Sequence, residues 1–437
     1  MTSLLRPYTT RLQCRQPWRW MGTVVQSVGQ TVESVGPVAA VGEYCEIVDR
    51  HRRVHAAEVI GFRGSHILSM PDETTDGIRY GDRVAALGTR PEIDVDQSLT
   101  GRILDAAGIP MDGSARPIEP DRRLLEGKVR SPLDRVPIRS PLSTGIRTVD
   151  GLLTVGRGQR IGIFGGSGVG KSTLIGMMTR NTDADITIVG LVGERGREVG
   201  EFLDNALGVE GRSRSVVVVS TSDQSPLMRL RAALAATTLA EYFASLGKHV
   251  LLVLDSLTRF AMAAREIGLA AGEPPTAKGY TPSVFSRLAK LIERAGNFPS
   301  GSITAFYTVL MEGDDLQDPL VDAVRSLLDG HIVLSRALAS EGWYPPIDLL
   351  QSISRLMPLV TGERHREHAA LIRRLLAVHA RSEDLVRIGA YKAGADPELD
   401  RALRAREALR VYMTQRSDER TGLDECVERL ASLVGEI

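Results

Sequence analysis

The segment Gly165-Gly166-Ser167-Gly168-Val169-Gly170-Lys171-Ser172-Thr173 fits the pattern G-x-x-x-x-G-K-[ST]. A strand-like run, Arg160–Phe164, precedes it and a helical run, Leu174–Thr179, follows. That is the strand–loop–helix context the pattern needs. Glycines let successive backbone N–H groups turn inward around phosphates, and the helix N-terminus adds the positive end of its dipole. Such a loop binds a nucleoside triphosphate. Lys171 is expected on the β- and γ-phosphates, the Ser172 hydroxyl on Mg²⁺, and Thr173 on the α-phosphate.

Two carboxylates fit the same chemistry. The run His249–Leu254 ends in Asp255, which sets a carboxylate at the C-terminal edge of a sheet as a metal ligand. Asp255 could also cap the helix that follows. The run Ile186–Val192 ends two residues before Glu194, on the same edge of a parallel sheet. Glu194 is therefore the candidate general base, orienting and polarising the attacking water. The alternative is a salt bridge from Glu194 to Arg195 or Arg197.

These residues need a scaffold. Apolar runs at 160–164, 186–192, 215–220, 249–254 and 302–310 alternate with amphipathic stretches such as 226–246 and 283–296. Continuous apolar strands between helices predict a mostly parallel sheet covered on both faces. Upstream, Gly22–Val28, Ala39–Val41, Ala57–Gly61 and Val84–Leu87 read as short strands broken by glycine, which predicts a small β-barrel. After about residue 362 the chain is charged and helical, with Leu371–Val378 and Leu399–Tyr412 as helices. The fold class is thus α/β: an N-terminal tail (1–20), a β-barrel (21–95), a P-loop domain with a mostly parallel sheet (96–364) and a C-terminal helical domain (365–437).

The chain has 437 residues, 43% of them apolar and 25% charged, with 54 Lys+Arg against 54 Asp+Glu. That excludes a disordered or fibrous protein and suits about three domains. Zero net charge argues against life on a phosphate backbone. Cys14, Cys45 and Cys426 fit no zinc or redox spacing, which favours reduced packing residues. No apolar run approaches the ~18 residues that span a bilayer. Residues 1–32 lack Asp and Glu and carry Arg6, Arg11, Arg15 and Arg19, which reads as a basic tail.

Further residues give a resemblance. Gly190–Val199, Asp255–Leu269, Gly272–Thr276, Pro282–Phe285, Gly301–Leu310 and Leu328–Ser335 together resemble the ATPases of type III protein export. These are relatives of the catalytic subunit of rotary ATP synthases and include the flagellar export ATPase. The Gly272-Glu-Pro-Pro segment looks like the export enzymes, and Gly389–Asp400 looks flagellar. The resemblance implies a ring of six subunits with ATP at each interface. It also implies that Glu194 is the catalytic glutamate, and that Arg195 and Arg259 lie near the phosphates. Arg355 would be an arginine finger lent to the neighbouring subunit, and Tyr344 an aromatic against the adenine. Implied partners are regulatory and stalk proteins, chaperone–substrate complexes and a membrane export gate. The implied location is cytoplasmic, peripheral at the inner face of the cytoplasmic membrane. Two features depart from the family: Pro346 stands where a small residue is common, and Met1–Pro17, with Pro7, is a poor helix.

Three other readings are weaker. An RNA-tracking motor would need stacked aromatics in the front domain, yet Tyr44, Phe62 and Tyr80 lie far apart among acidic residues. No nucleic-acid partner is therefore expected. A non-hydrolysing subunit would lack Glu194. A rotary catalytic subunit would leave the finger to a second type of chain, whereas Glu194 and Arg355 here share one.

Overall fold

The computed structural model describes residues 20–127, 129–311, 315 and 318–437. Most of the basic tail, Cys14 included, lies outside the described residues. Six strands close a barrel: β1 (Met21–Val28), β2 (Thr31–Val35), β3 (Tyr44–Val48), β4 (Val54–Arg63), β5 (His66–Pro71) and β6 (Arg83–Ala86). They run in the order β1-β2-β5-β4-β3-β6. Alternate residues point inward, so Val24, Val32, Ile47, Ala57, Val59, Ile67 and Val84 form its core. Ala39–Val41, expected as a strand, is instead part of a turn. Pro37 brings no N–H to a ladder, Gly42 has φ +85°, and the Ala40 amide bonds the Glu43 side chain rather than a neighbouring strand.

The second sheet has nine strands: β7 (Ile103–Asp105), β8 (Arg160–Gly165), β9 (Ile186–Glu194), β10 (Ser215–Thr221), β11 (His249–Asp255), β12 (Gly296–Phe298), β13 (Gly301–Leu310), β14 (Gly330–Leu334) and β15 (Ile347–Ser354). The order is β15-β14-β8-β13-β11-β9-β10-β7, with β12 added antiparallel to β13. All pairs along the path are parallel except β14 with β15. The central strands are buried on both faces, which is why they read as unbroken apolar runs.

Helices α1 (Lys171–Asn181), α2 (Gly196–Glu201), α3 (Pro226–Ser245), α4 (Leu257–Ala270) and α5 (Pro282–Ile292) cover the sheet. Ser225 caps α3 and Pro226 opens it, and its alanines pack closely on β9, β10 and β11. The helix expected over 283–296 stops at Ile292. Arg294 turns inward there, and its guanidinium holds Glu241 (2.7 Å) and the Leu125 carbonyl (2.8 Å). Three helices close the chain: α6 (Glu363–Arg387), α7 (Pro397–Met413) and α8 (Leu423–Glu436). Their apolar faces share one core with the sheet.

One buried charge fastens the barrel to α3. Arg231, 2% exposed, bonds Glu58 at 2.7 Å and Asp72 at 2.8 Å and lies over the Tyr44 ring. Removing one partner of such a group leaves a buried charge uncompensated. Cys45 and Cys426 are buried and unpaired, consistent with packing roles.

Candidate active site

Parallel strands deliver their C-terminal ends to one edge, and the candidate residues gather there. Ser167, Gly168, Gly170, Lys171, Ser172, Thr173, Glu194, Arg195, Asp255 and Arg259 line a single cavity of about 360 Å³. Gly165 and Gly166 lead into it and offer their carbonyls to the Lys171 ammonium at 2.9 and 2.6 Å. Val169 is buried beneath the loop. Gly170 has φ +94° immediately before α1, a backbone conformation that glycine adopts without strain. Lys171, Ser172 and Thr173, the first residues of α1, line the cavity.

β9 and β11 are neighbours, with Leu191 opposite Asp255. Gly193, at φ +69°, bends the end of β9. A Cβ there would come within 3.1 Å of the Arg259 Cβ. The bend brings Glu194 close to both Asp255 and Arg259. The alternative salt bridges from Glu194 do not form: Arg195 faces Glu198 at 3.8 Å and Arg197 faces Glu201 at 3.2 Å. Asp255 is not the helix cap either, because Ser256 accepts the Arg259 amide.

Burial pushes the Glu194 carboxyl up to about 8, and the charge of Asp255 and the neighbouring Glu198 add to this against Arg259. Burial also pushes the Asp255 carboxyl up, while the Thr308 hydroxyl, Lys171 and Arg259 oppose it. Thr308 donates to Asp255 Oδ1 at 2.6 Å, which leaves the second oxygen without a hydrogen bond from any described residue. Among the described residues there is no three-ligand metal cluster of His, Cys, Asp or Glu. One hydroxyl and one carboxylate facing a phosphate loop suit Mg²⁺, which keeps waters and phosphate oxygens as its other ligands. Ser172 and Asp255 therefore fit the ion.

Glu198 and Thr308 are residues that the sequence reading missed. Glu198 lines the cavity from the first turn of α2, and Thr308 sits in β13. Two expected residues lie elsewhere. Tyr344 is 52% exposed and is absent from the cavity lining. It follows β14 on the same edge of the sheet, since Leu334 packs against Gly165. Arg355 lies at the opposite edge. β15 runs back along β14, Ser354 pairs with Gly330, and the Arg355 amide bonds the Asp329 carbonyl at 3.0 Å. Four residue steps of β14 at ~3.3 Å put ~13 Å of strand between Arg355 and the phosphate-loop edge.

The molecule matches known proteins along most of its length. Residues 24–88 match the beta-barrel domain of the ATP synthase alpha/beta family and residues 145–354 its nucleotide-binding domain. Residues 361–432 match the T3SS EscN ATPase C-terminal domain. The chain is 51% identical over 433 residues to the flagellum-specific ATP synthase of Treponema pallidum, covering 99% of this chain and 97% of that one. The chain belongs to the type III export ATPases of the ATP synthase alpha/beta family. This export ATPase is also 45% identical over 416 residues to the type 3 secretion system ATPase of Xanthomonas euvesicatoria, covering 95% and 94% of the two chains. Assembled EscN of enteropathogenic Escherichia coli superposes with a TM-score of 0.90 at 44% identity, over 94% of this chain and 100% of that one. EscN with its central stalk EscO gives 0.87 at 43%, with the same coverage. As a member of this family the chain is an ATP-hydrolysing enzyme.

The raised Glu194 carboxyl carries a pH dependence. Below about 8 the unliganded group holds its proton and cannot accept another. Because kcat/KM reports groups of the free enzyme, it should fall as pH drops through about 8. A profile flat across that range would remove Glu194 as the titrating base.

Proposed function

We propose that this ATPase works as a homohexameric ring and couples hydrolysis to the export of proteins through a type III apparatus of the flagellar kind. The single observation that supports the ring is the position of Arg355, ~13 Å of strand away from the phosphate-loop edge of its own chain's sheet. Among the described residues its side chain has no hydrogen bond or ion pair, so it is available to a neighbouring copy. Each chain then offers Glu194 to its own ATP and Arg355 to the next.

In this reading the loop Gly165–Thr173 cradles the phosphates. Lys171 turns from the loop carbonyls to the β- and γ-phosphates. Ser172 and Asp255 hold Mg²⁺, which shields phosphate charge when bound. Glu194 orients water and takes its proton, and Arg195, Arg259 and the neighbour's Arg355 stabilise the transferring phosphoryl group. Tyr344 packs on the adenine. EscN assembled with its central stalk supports a stalk partner here. Regulatory proteins, chaperone–substrate complexes and a membrane gate complete the proposed setting, at the cytoplasmic face of the inner membrane. Among the described residues no helix is long and apolar enough to cross a membrane, which suits a peripheral attachment.

Nucleotide titrations separate the phosphate and metal roles. Lys171→Ala should weaken ATP binding ~10–100-fold, the size expected for charge-assisted hydrogen bonds of ~1.5–3 kcal/mol. Asp255→Asn should chiefly abolish the gain in affinity that Mg²⁺ brings. Unchanged affinity in the Lys171 variant would mean that the loop is not the nucleotide site. The biological reading is tested by replacing the chromosomal copy with Glu194→Gln. Flagellar proteins should disappear from the medium while the chain is made at normal levels. Loss of other secreted proteins with normal flagella would favour the alternative, an injectisome rather than a flagellar export ATPase, and normal export of both would end the export proposal.

A further inference from the structure

β15, the strand that leads to Arg355, is irregular. It pairs with β14 through Ile347 and Asp348, and again through Ile353 and Ser354. From Asp348 to Ile353 is five steps, while their partners Val333 and His331 are two steps apart. Residues 349–352 therefore form a bulge, whose backbone groups need partners outside the ladder. Asp348 Oδ1 accepts from the Leu350 and Gln351 amides at 3.0 and 3.1 Å. Ser352 Oγ accepts from the Val333 amide at 2.9 Å and donates to the Asp348 carbonyl. The His331 ring nitrogen meets the Gln351 carbonyl at 2.9 Å.

The Leu349 and Ser352 carbonyls are held from another part of the chain. Arg373, on α6, donates to them through one nitrogen, Nη1, at 2.6 and 3.1 Å. Two helical turns earlier on the same face, Arg366 donates to the Pro358 and Thr361 carbonyls at 3.1 and 2.7 Å. One helix thus grips the backbone on both sides of Arg355. The space between is a cavity of about 750 Å³ lined by Arg325, Arg355, Arg366, Arg373 and His331, with no Asp or Glu in its wall. Among the described residues nothing bonds the Arg355 guanidinium, so its direction depends on the backbone that carries it.

We propose that Arg373 is a positioning residue for Arg355: through the bulge in β15, the C-terminal helices set the group that one copy lends to the next. This rests on reading Arg355 as a finger acting in a neighbouring site. It makes the first C-terminal helix part of the catalytic geometry of another subunit, so a shift of α6 changes turnover next door without touching that copy's nucleotide.

The test measures steady-state kinetics and mixed rings of the full chain. Arg373→Ala should lower kcat ~10–100-fold with KM within about twofold, since ~1 Å of misplacement costs up to ~10²-fold. Arg373→Lys, which keeps charge and donors, should recover part of the loss. Arg374→Ala, an exposed neighbour paired with Glu398, should leave kcat unchanged. Mixing Arg373→Ala with Glu194→Gln should restore activity, because the defect lies in what the chain lends and not in its own site. If Arg355→Ala is inactive while Arg373→Ala keeps native kcat, the positioning role is wrong and the finger stands. If Arg355→Ala keeps native kcat, the finger reading itself falls. Should Arg373→Ala fail to assemble, Arg373→Gln enters the same mixture, and absence of rescue there overturns the proposal.

Discussion

A chain carrying Glu194→Gln is expected to bind ATP as the native chain does and to hydrolyse it ~10²–10⁴-fold more slowly. The substitution keeps the shape of the side chain and removes its capacity to accept a proton. Binding is spared because the phosphates are held from the other wall of the cavity, by the loop and Lys171. The neighbourhood of the carboxylate supports a base rather than a structural ion pair. It is pushed up to about 8 by burial and by Asp255, and Arg195 and Arg197, which follow it in the chain, pair with Glu198 and Glu201. Turnover above about half the native value, with folding intact, would defeat the assignment.

Arg355→Ala should cost ~10³–10⁵ in turnover, the contribution of an arginine finger to transition-state charge. Its own ATP affinity should change little, because Arg355 is remote from the loop of its chain. Activity per native chain should also rise with protein concentration, because an isolated copy has an incomplete site. A native specific activity that stays constant upon dilution to monomers would contradict a shared site.

Much of this site was legible in the sequence, for identifiable physical reasons. The phosphate loop is written as glycine spacing between a strand and a helix, and local signals of that kind survive without knowledge of the fold. Glu194 and Asp255 were legible because β9 and β11 are buried on both faces, so each shows as an apolar run ending in a carboxylate. Thr308 was not, because its pairing with Asp255 depends on the register of β11 against β13. Glu198 reads as an ordinary helix charge beside Arg195, and only the bend at Gly193 turns it into the cavity. Arg373 likewise reads as one arginine in a charged helix next to Arg374. Its partners are main-chain carbonyls 21 and 24 residues away, exposed by a bulge that no local pattern announces. The barrel strands were legible from alternation, but Ala39–Val41 shows the limit. Three small apolar residues fit a strand equally well until Pro37 and Gly42 are seen to turn the chain.

The central claim, that each copy completes its neighbour's site, is tested most directly by mixing two inactive chains. One carries Arg355→Ala and the other Glu194→Gln. In a mixed ring some interfaces join an intact Glu194 to an intact Arg355, and part of the native activity should return as the second chain is titrated into the first. If the mixture stays inactive while the two variants are shown to share rings, Arg355 does not act across the interface.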